Sequence, residues 1–461
     1  MMSLNDRWEE YPEKKSHPLL KVLLVLVLGI GIGAAAIIVI GRYREACGAG
    51  RVVPENVGRF IYEKPAPEPE PEPEPEEEPE EDPVPETVTF AFAGDILFDE
   101  RYATGVTMRA RGGFAQCLDD EVLEIMRGVD VMVINNEFPF TDGGAPQAEK
   151  LYTFRAATAT AQWLSEAGVD LAALANNHVY DYGKEGFDDT LDTLERIGMP
   201  YIGAGRNIDE ASAPAVYEFG DFSVAILNAT QIERYAVPNT KGATETEGGV
   251  FRCLEPELLY EKVRGLKEDG HYVIVFVHWG TEKETQPDWL QLEQQEGLYE
   301  AGADLVIGAH PHRLQGFTYV GDMPVAYSLG NFLFTSFTLD SGILKVTISP
   351  WERKLDELQF YPLLQKESRV QWPSAEERER ILEDLRRLSP GVKIDSEGII
   401  TKREEGDEEF LPAPKPPEPA ETEEPAETAE PAETEEPAEA AEPAETAEPP
   451  ESPDETDGEP S

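Results

Sequence analysis

Five times in this chain an apolar, strand-prone run stops at residues of the kind that bind metal ions. The endings are Gly94-Asp95, Asn135-Asn136-Glu137, Asn176-Asn177-His178, His278-Trp279-Gly280 and Gly308-Ala309-His310-Pro311-His312. One such ending says little. Five of them call for a fold that gathers the carboxyl ends of several strands, which is where α/β sheets place their chemistry.

The spacing between the endings supplies the rest of that fold. Runs rich in β-branched and aromatic residues predict strands over 88–93, 129–134, 169–175, 272–277 and 305–307. Helical spacing fills 119–127, 158–167, 185–197, 256–267 and 288–301. Gly220-Asp221 separates the strand-like runs 215–219 and 222–227, and Gly321-Asp322 separates 317–320 and 324–328, so two hairpins are expected. Two later strands, 342–348 and 358–363, precede a charged helix over 374–388. Strand and helix alternate first and strands prevail later, which predicts an α/β sandwich.

The flanks are of another kind. Residues 1–18 are polar, and 19–40 are apolar apart from Lys21. At ~1.5 Å per residue such a helix nearly crosses a hydrocarbon core about 30 Å thick. No clear cleavage pattern follows it, so it reads as a retained single-pass anchor, although basic residues on its two sides nearly balance. Residues 41–86 read as a linker whose Pro-Glu part suits an extended spacer. From Glu418 a six-residue unit, Glu-Pro-Ala-Glu-Thr-Glu or Glu-Pro-Ala-Glu-Thr-Ala, recurs, too short and too polar to bury a core, so 412–461 reads as a disordered tail. The folded domain is expected over 87–350, with a C-terminal extension over 351–411.

Charge narrows the function. Residues 65–86 carry eleven acids and no base, and residues 413–461 carry eighteen acids and one lysine, about half of the formal net charge of −53. The remainder is acidic too, which excludes a nucleic-acid binder. No Walker-type phosphate loop is present, so any ATP-driven ligation needs a partner. Cys47, Cys117 and Cys253 match no zinc spacing and read as free thiols.

Of six histidines, His178, His278, His310 and His312 follow strand-like runs, in company with Asp95 and Glu137. Imidazole with carboxylate and without thiolate suits Mn, Zn or Fe. A pair of such ions polarises a phosphoryl or acyl oxygen and activates water. Three further residues are candidates for substrate binding, each with a structural alternative. Arg155 clamps a carboxylate or phosphate, or sits in an ion pair. Asn331 lines the site or orients a histidine, or only serves the turn after Gly330. Trp279 stacks on substrate, or packs in the core.

In order, Phe92-Ala-Gly-Asp95, Asn136-Glu-Phe-Pro139, Tyr152-Thr-Phe-Arg155, Asn176-Asn-His178 with Asp181 and Gly183, Gly203-Ala-Gly-Arg206, His278-Trp-Gly280 with Glu282, Gly308-Ala-His-Pro-His312 and Ser328-Leu-Gly-Asn-Phe332 closely resemble the CapA family of poly-γ-glutamate capsule biosynthesis proteins. That family shares the fold of calcineurin-like metallophosphatases. The resemblance covers residues 87–350 and implies a four-layer α/β/β/α sandwich. It implies Asp95, Glu137, Asn177, His278, His310 and His312 as metal ligands, with Glu137 where such proteins usually bridge two ions with an aspartate. Asn177 and His178 match their Asn-His pair, and with His278 are the expected catalytic residues, His178 or His278 assisting proton transfer. Such proteins usually carry a histidine two residues after the first aspartate, where this chain has Leu97. The resemblance further implies a domain outside the cell membrane, working with capsule polymer synthase or export subunits on an anionic polymer. Hydrolysis of a phosphoester or acyl bond is the expected chemistry. A non-catalytic scaffold of a synthase complex and a secreted metallophosphoesterase unrelated to capsule are the alternatives.

Overall fold

The structure is a computed structural model that describes residues 84–148, 150–232 and 240–404 and the backbone of Arg59–Ile61. The expected anchor over 19–40, most of the linker and the tail over 412–461 lie outside the described residues. Among the described residues no helix is long and apolar enough to cross a membrane.

Two mixed sheets carry the domain. In the first the strand order is Arg369–Gln371, Lys354–Lys366, Leu339–Ser349, Val88–Ile96, Val131–Asn136, Leu171–Ala173 and Tyr201–Ile202, and the short Asn331–Leu333 also pairs with Val88–Ile96. The last four strands of that order are parallel, and Leu339–Ser349 joins them antiparallel. The second sheet runs Arg59–Ile61, Ala215–Phe219, Phe222–Thr230, Tyr272–His278, Leu305–Ala309, Met323–Ala326 and Phe317–Val320. Its central strands, from Phe222–Thr230 to Met323–Ala326, are parallel.

Successive side chains on a strand face opposite ways, and here both faces are covered. Phe90, Phe92 and Val133 of the first sheet meet Val224, Ile226, Ile274, Phe276 and Ile307 of the second in one core, with Phe92 edge-on to Phe276 at 5.8 Å. Ala91, Ala93, Met132 and Ile134 face outward onto the helices Asp120–Arg127, Gln162–Ala167 and Gly183–Ile197. Leu227, Val273, Val275 and Val277 face the helices Glu257–Glu268 and Trp289–Ala301 on the far side. The layers are therefore helix, sheet, sheet, helix. Strands buried on both faces read as continuous apolar runs, which is why they stand out in the sequence.

Local chemistry sets the element ends. Asp288 and Gln291 form a capping box at the start of Trp289–Ala301, and Ser374 and Glu377 do the same for Ala375–Leu388. Both expected hairpins form, with Phe219 opposite Phe222 and Val320 opposite Met323. Three expectations shift. The strand expected to end at 227 runs on to Thr230, because Asn228 and Thr230 donate across the sheet to the Phe276 and His278 carbonyls. The helix expected over 158–167 is a 3-10 turn, Thr158–Thr160, followed by the short helix Gln162–Ala167. The helix Ala103–Arg111 was not foreseen: its buried face is Thr104, Gly105 and Met108, which makes no apolar stripe. Beyond 350 the chain continues the first sheet directly, as Leu339–Ser349 turns back into Lys354–Lys366.

Candidate metal centre

The five strand endings meet where the two sheets come together. Parallel register sets His278 level with Thr230 and Ala309, and Asp95 level with Asn135. Asn331 is brought in by the three-residue strand that pairs beside Asp95. That pairing depends on Gly94, where a Cβ would lie 1.8 Å from the Gly330 oxygen, itself the acceptor for the Asp95 amide at 3.0 Å.

Two groups of possible ligands form there, Glu137 with His278 and His310, and Asp95 with Glu137 and His312; within each group the ligand atoms lie within 4.8 Å of one another. Glu137 belongs to both. Its Oε1 is 3.5 Å from His278 Nε2 and 3.9 Å from His312 Nε2. His310 Nδ1 is 3.0 Å from His278 Nε2, and Asn177 Oδ1 is 2.9 Å from that same nitrogen. His312 Nδ1 has two acceptors in reach, Asn331 Oδ1 at 2.9 Å and Asp95 Oδ2 at 3.0 Å, and only the first has hydrogen-bond geometry. Asp95 Oδ2 and both Glu137 oxygens are consequently buried without a hydrogen bond. Buried anions left so would cost several kcal/mol. A divalent cation held through Glu137 removes that cost, and carboxylate with imidazole suits Zn, Mn or Fe.

Protonation follows the same logic. Burial, reinforced by the charges of Asp95 and Glu282, pushes the Glu137 carboxyl well above its usual range. Burial and the neighbouring imidazoles hold His278 and His310 well below theirs, so both keep a lone pair for a metal. For His312 burial also opposes protonation, but the adjacent Asp95 carboxylate, with the charge of Glu282 and the Asn331 hydrogen bond, prevails and raises it. The loop that carries the last two ligands is strained: His310 has φ 100° and His312 φ 56°, a region that favours glycine. Such backbone costs about 1–3 kcal/mol per residue and persists where the surroundings enforce it.

His178 is held differently. Its Nδ1 donates to Asp181 Oδ2 at 2.7 Å, and Asp181 also accepts from the Phe154 amide at 2.7 Å and from Lys150 Nζ at 2.5 Å. The Phe154 ring lies on the imidazole, 4.3 Å between centroids. Nε2 is left facing Glu137 Oε1 at 4.0 Å. Burial lowers the His178 pKa, and the Asp181 charge opposes that. Asn176 Oδ1 accepts from the His178 and Val179 amides and so shapes this loop.

The expected site residues can now be placed. Asp95, Glu137, His278, His310 and His312 converge, with the Asn177 oxygen beside His278. His278 is sealed inside the cluster, which fits a ligand and not the proton-transfer role also expected of it; His178 has the free nitrogen. Trp279 is a correction: it is fully buried in the outer core of the second sheet and donates to the Tyr327 carbonyl at 2.8 Å, so it stacks on no substrate. Asn331 orients His312. Arg155 is half-buried, with its guanidinium 4.9 Å over the Tyr182 ring and no ion pair among the described residues. Leu97 is buried in the apolar core beneath the first helical layer and supplies no ligand. Sequence reasoning gave no separate role to Asn135, whose amide donates to Asp95 Oδ1 at 2.7 Å, and passed over Lys150, which also donates to the Asn177 carbonyl.

Fold and cluster together define an α/β domain with a buried carboxylate–imidazole site between two sheets. The chain belongs to the bacterial capsule synthesis protein family PGA_cap, which matches residues 89–336, more than half of its length. It is 28% identical over 277 residues to the capsule biosynthesis protein CapA of Bacillus anthracis, covering 56% of this chain and 64% of that one, less than two thirds of the relative. Identity to the PGA biosynthesis protein CapA of Bacillus subtilis (strain 168) is 28% over 267 residues, covering 56% and 67%. A probable polyglutamine synthesis accessory protein of Mycobacterium tuberculosis is 26% identical over 284 residues, covering 58% and 74%. Among solved structures, a novel phosphatase of Mycoplasma pneumoniae aligns with TM-score 0.36 at 15% identity, covering 61% of this chain and 95% of that one.

Proposed function

We propose that this chain is a CapA-type protein of poly-γ-glutamate capsule biosynthesis, export or anchoring, and that its domain is a calcineurin-like metallophosphatase fold with a hydrolytic metal site. The observation that carries the reading is Glu137, a fully buried carboxylate shared by two ligand groups with neither oxygen hydrogen-bonded. Asp95, Glu137, His278, His310 and His312 hold one or two divalent ions, of Mn, Zn or Fe, with the Asn177 oxygen alongside. Such an ion supplies Lewis-acid activation of water and of the phosphoester or acyl bond.

The chain's own residues do the rest. Asn331 and Asn135 fix the orientation of His312 and Asp95. His178, aligned by Asp181 and Lys150, holds or delivers a proton at Nε2. Arg155, without an ion pair among the described residues and backed by the Tyr182 ring, meets an anionic group of the substrate. In this reading residues 19–40 anchor the chain in the cell membrane with the domain outside, beside synthase or export subunits.

Metal analysis of the purified full chain tests the proposal. Stoichiometric metal in the wild type, lost in Asp95→Ala and His310→Ala with folding retained, is the expected result. No metal after reconstitution with Mn, Zn or Fe would sink the hydrolytic reading. Leu97 favours one second reading, a non-catalytic scaffold, because the position next to Asp95 lacks a ligand. Metal without turnover of any phosphoester or γ-glutamyl substrate, together with co-purification of a polymer synthase, would support that alternative.

A further inference from the structure

A cavity of about 390 Å³ lies between the loop that carries His310 and His312 and the helix Ala375–Leu388. Arg313, the residue after His312, lines it together with Leu314, Asp340, Ile381, Asp384 and Leu385. Most of these lie beyond residue 336, where the match to the capsule synthesis family stops. One wall of the cavity thus belongs to a region that the family match does not cover.

The charges of the cavity are unequal. Both Asp340 oxygens are bound by Arg380, at 2.5 and 2.9 Å, and Asp384 accepts from Arg380 at 3.1 Å and pairs with Arg387. Arg313 has no such match: its half-buried guanidinium makes no hydrogen bond or ion pair with any described residue. A guanidinium has five donors in a flat fork that fits a carboxylate or phosphate with two hydrogen bonds. With no described acid on it, this guanidinium has its fork available to an external anion. Its backbone is also fixed. His312 before it is held by Asn331, and Leu314 after it bridges Leu329. The neighbouring loop is tied on by the Lys283 amide, which donates to the Pro311 carbonyl at 2.8 Å.

We propose that this cavity is an oxyanion site in which Arg313 takes a carboxylate or phosphate of a bound anionic molecule. The partly exposed Leu388, with Leu314 beneath, gives the cavity an apolar side for the carbon chain that carries the anion. The inference rests on the reading of this chain as one that handles an anionic polymer, and it gives that polymer a point of contact in this cavity.

The test is calorimetric binding of two probes, a γ-linked glutamate hexamer and inorganic phosphate, to the purified, metal-loaded full chain. Wild type is compared with Arg313→Ala and with Arg313→Lys, which keeps the charge and loses the fork. Metal content and thermal melting are read in parallel. The expected result is hexamer binding weakened about tenfold or more in Arg313→Ala and less in Arg313→Lys, with metal content and melting unchanged. If only phosphate binds, and its affinity falls in the same order, the subsite stands for a phosphate and the polymer reading fails. Equal affinity in wild type and Arg313→Ala, or no binding of either probe by the wild type, overturns the subsite.

Discussion

Replacing Glu137 with glutamine should have opposite effects on stability with and without metal. The side chain keeps its shape and loses its charge. In the metal-free protein both Glu137 oxygens are buried without a hydrogen bond, and burial with the nearby Asp95 and Glu282 charges holds the carboxyl well above its usual range. The folded state is therefore penalised at neutral pH for carrying this group ionised. Leaving a buried polar group unsatisfied costs about 1–3 kcal/mol, and more when it is charged. The amide of glutamine can donate to an imidazole lone pair, so Glu137→Gln should stabilise the chelator-treated protein by about 1–3 kcal/mol. With metal the sign reverses. A ligand present at 100 times its Kd stabilises by about 2.7 kcal/mol, and losing the carboxylate common to both ligand groups removes most of that increment. Urea unfolding of the wild-type and variant full chains, each in EDTA and in excess Mn, gives all four values. A variant less stable than wild type in EDTA, or a metal increment left intact, would refute the reasoning.

Other expectations follow from single contacts. Gly94→Ala puts a methyl 1.8 Å from the Gly330 oxygen and should cost about 1–3 kcal/mol or more while lowering metal content, read by denaturation and elemental analysis. Trp279→Phe removes the donor to the Tyr327 carbonyl and should destabilise by about 1–2 kcal/mol with metal content and substrate affinity unchanged. His310 has a folded pKa well below 6.5, so the unfolded chain takes up this proton first as pH falls. Its contribution is complete above about pH 6.5 and is lost below it, so His310→Asn should flatten the acid side of the metal-free stability curve by up to about 1.4 kcal/mol per pH unit. Leu97→His restores a nitrogen beside Asp95 and should raise the metal-to-protein ratio, at a cost in metal-free stability of about 1–3 kcal/mol for placing a polar ring in an apolar core.

The residues that converge were legible because each closes an apolar run, and parallel register turns shared strand ends into a shared place. What stayed hidden depends on less regular features. Trp279 was open to misreading although strand parity decides it: His278 points into the cluster, so its neighbour points to the other face of the sheet. Asn331 was among the candidates, but the strand that brings it in has three residues, too short for any pattern, and its pairing depends on the bare Gly94 backbone. Lys150 belongs to no element, and only the fold shows that it braces Asp181. The helix Ala103–Arg111 is invisible to periodicity because small and polar residues form most of its buried face.

The two sheets contribute different chemistry to the centre, and this suggests what the centre does for the fold. Asp95, Asn135 and Glu137 come from the first sheet, His278, His310 and His312 from the second. Below them the sheets meet through apolar contacts such as Phe92 against Phe276, which need no ion. At the ligand level the contacts are between carboxylates that lack donors and imidazoles that keep lone pairs, a poor joint on its own. A cation there would join the sheets where their own side chains make only a few neutral contacts, such as Asn331 to His312 and Asn177 to His278. Removing it should leave the lower core packed and loosen the carboxyl ends first. Amides near His278 and His310 would then lose hydrogen-exchange protection before those of Ile274 and Phe92, whereas uniform loss along these strands would mean that the centre carries no structural role of its own.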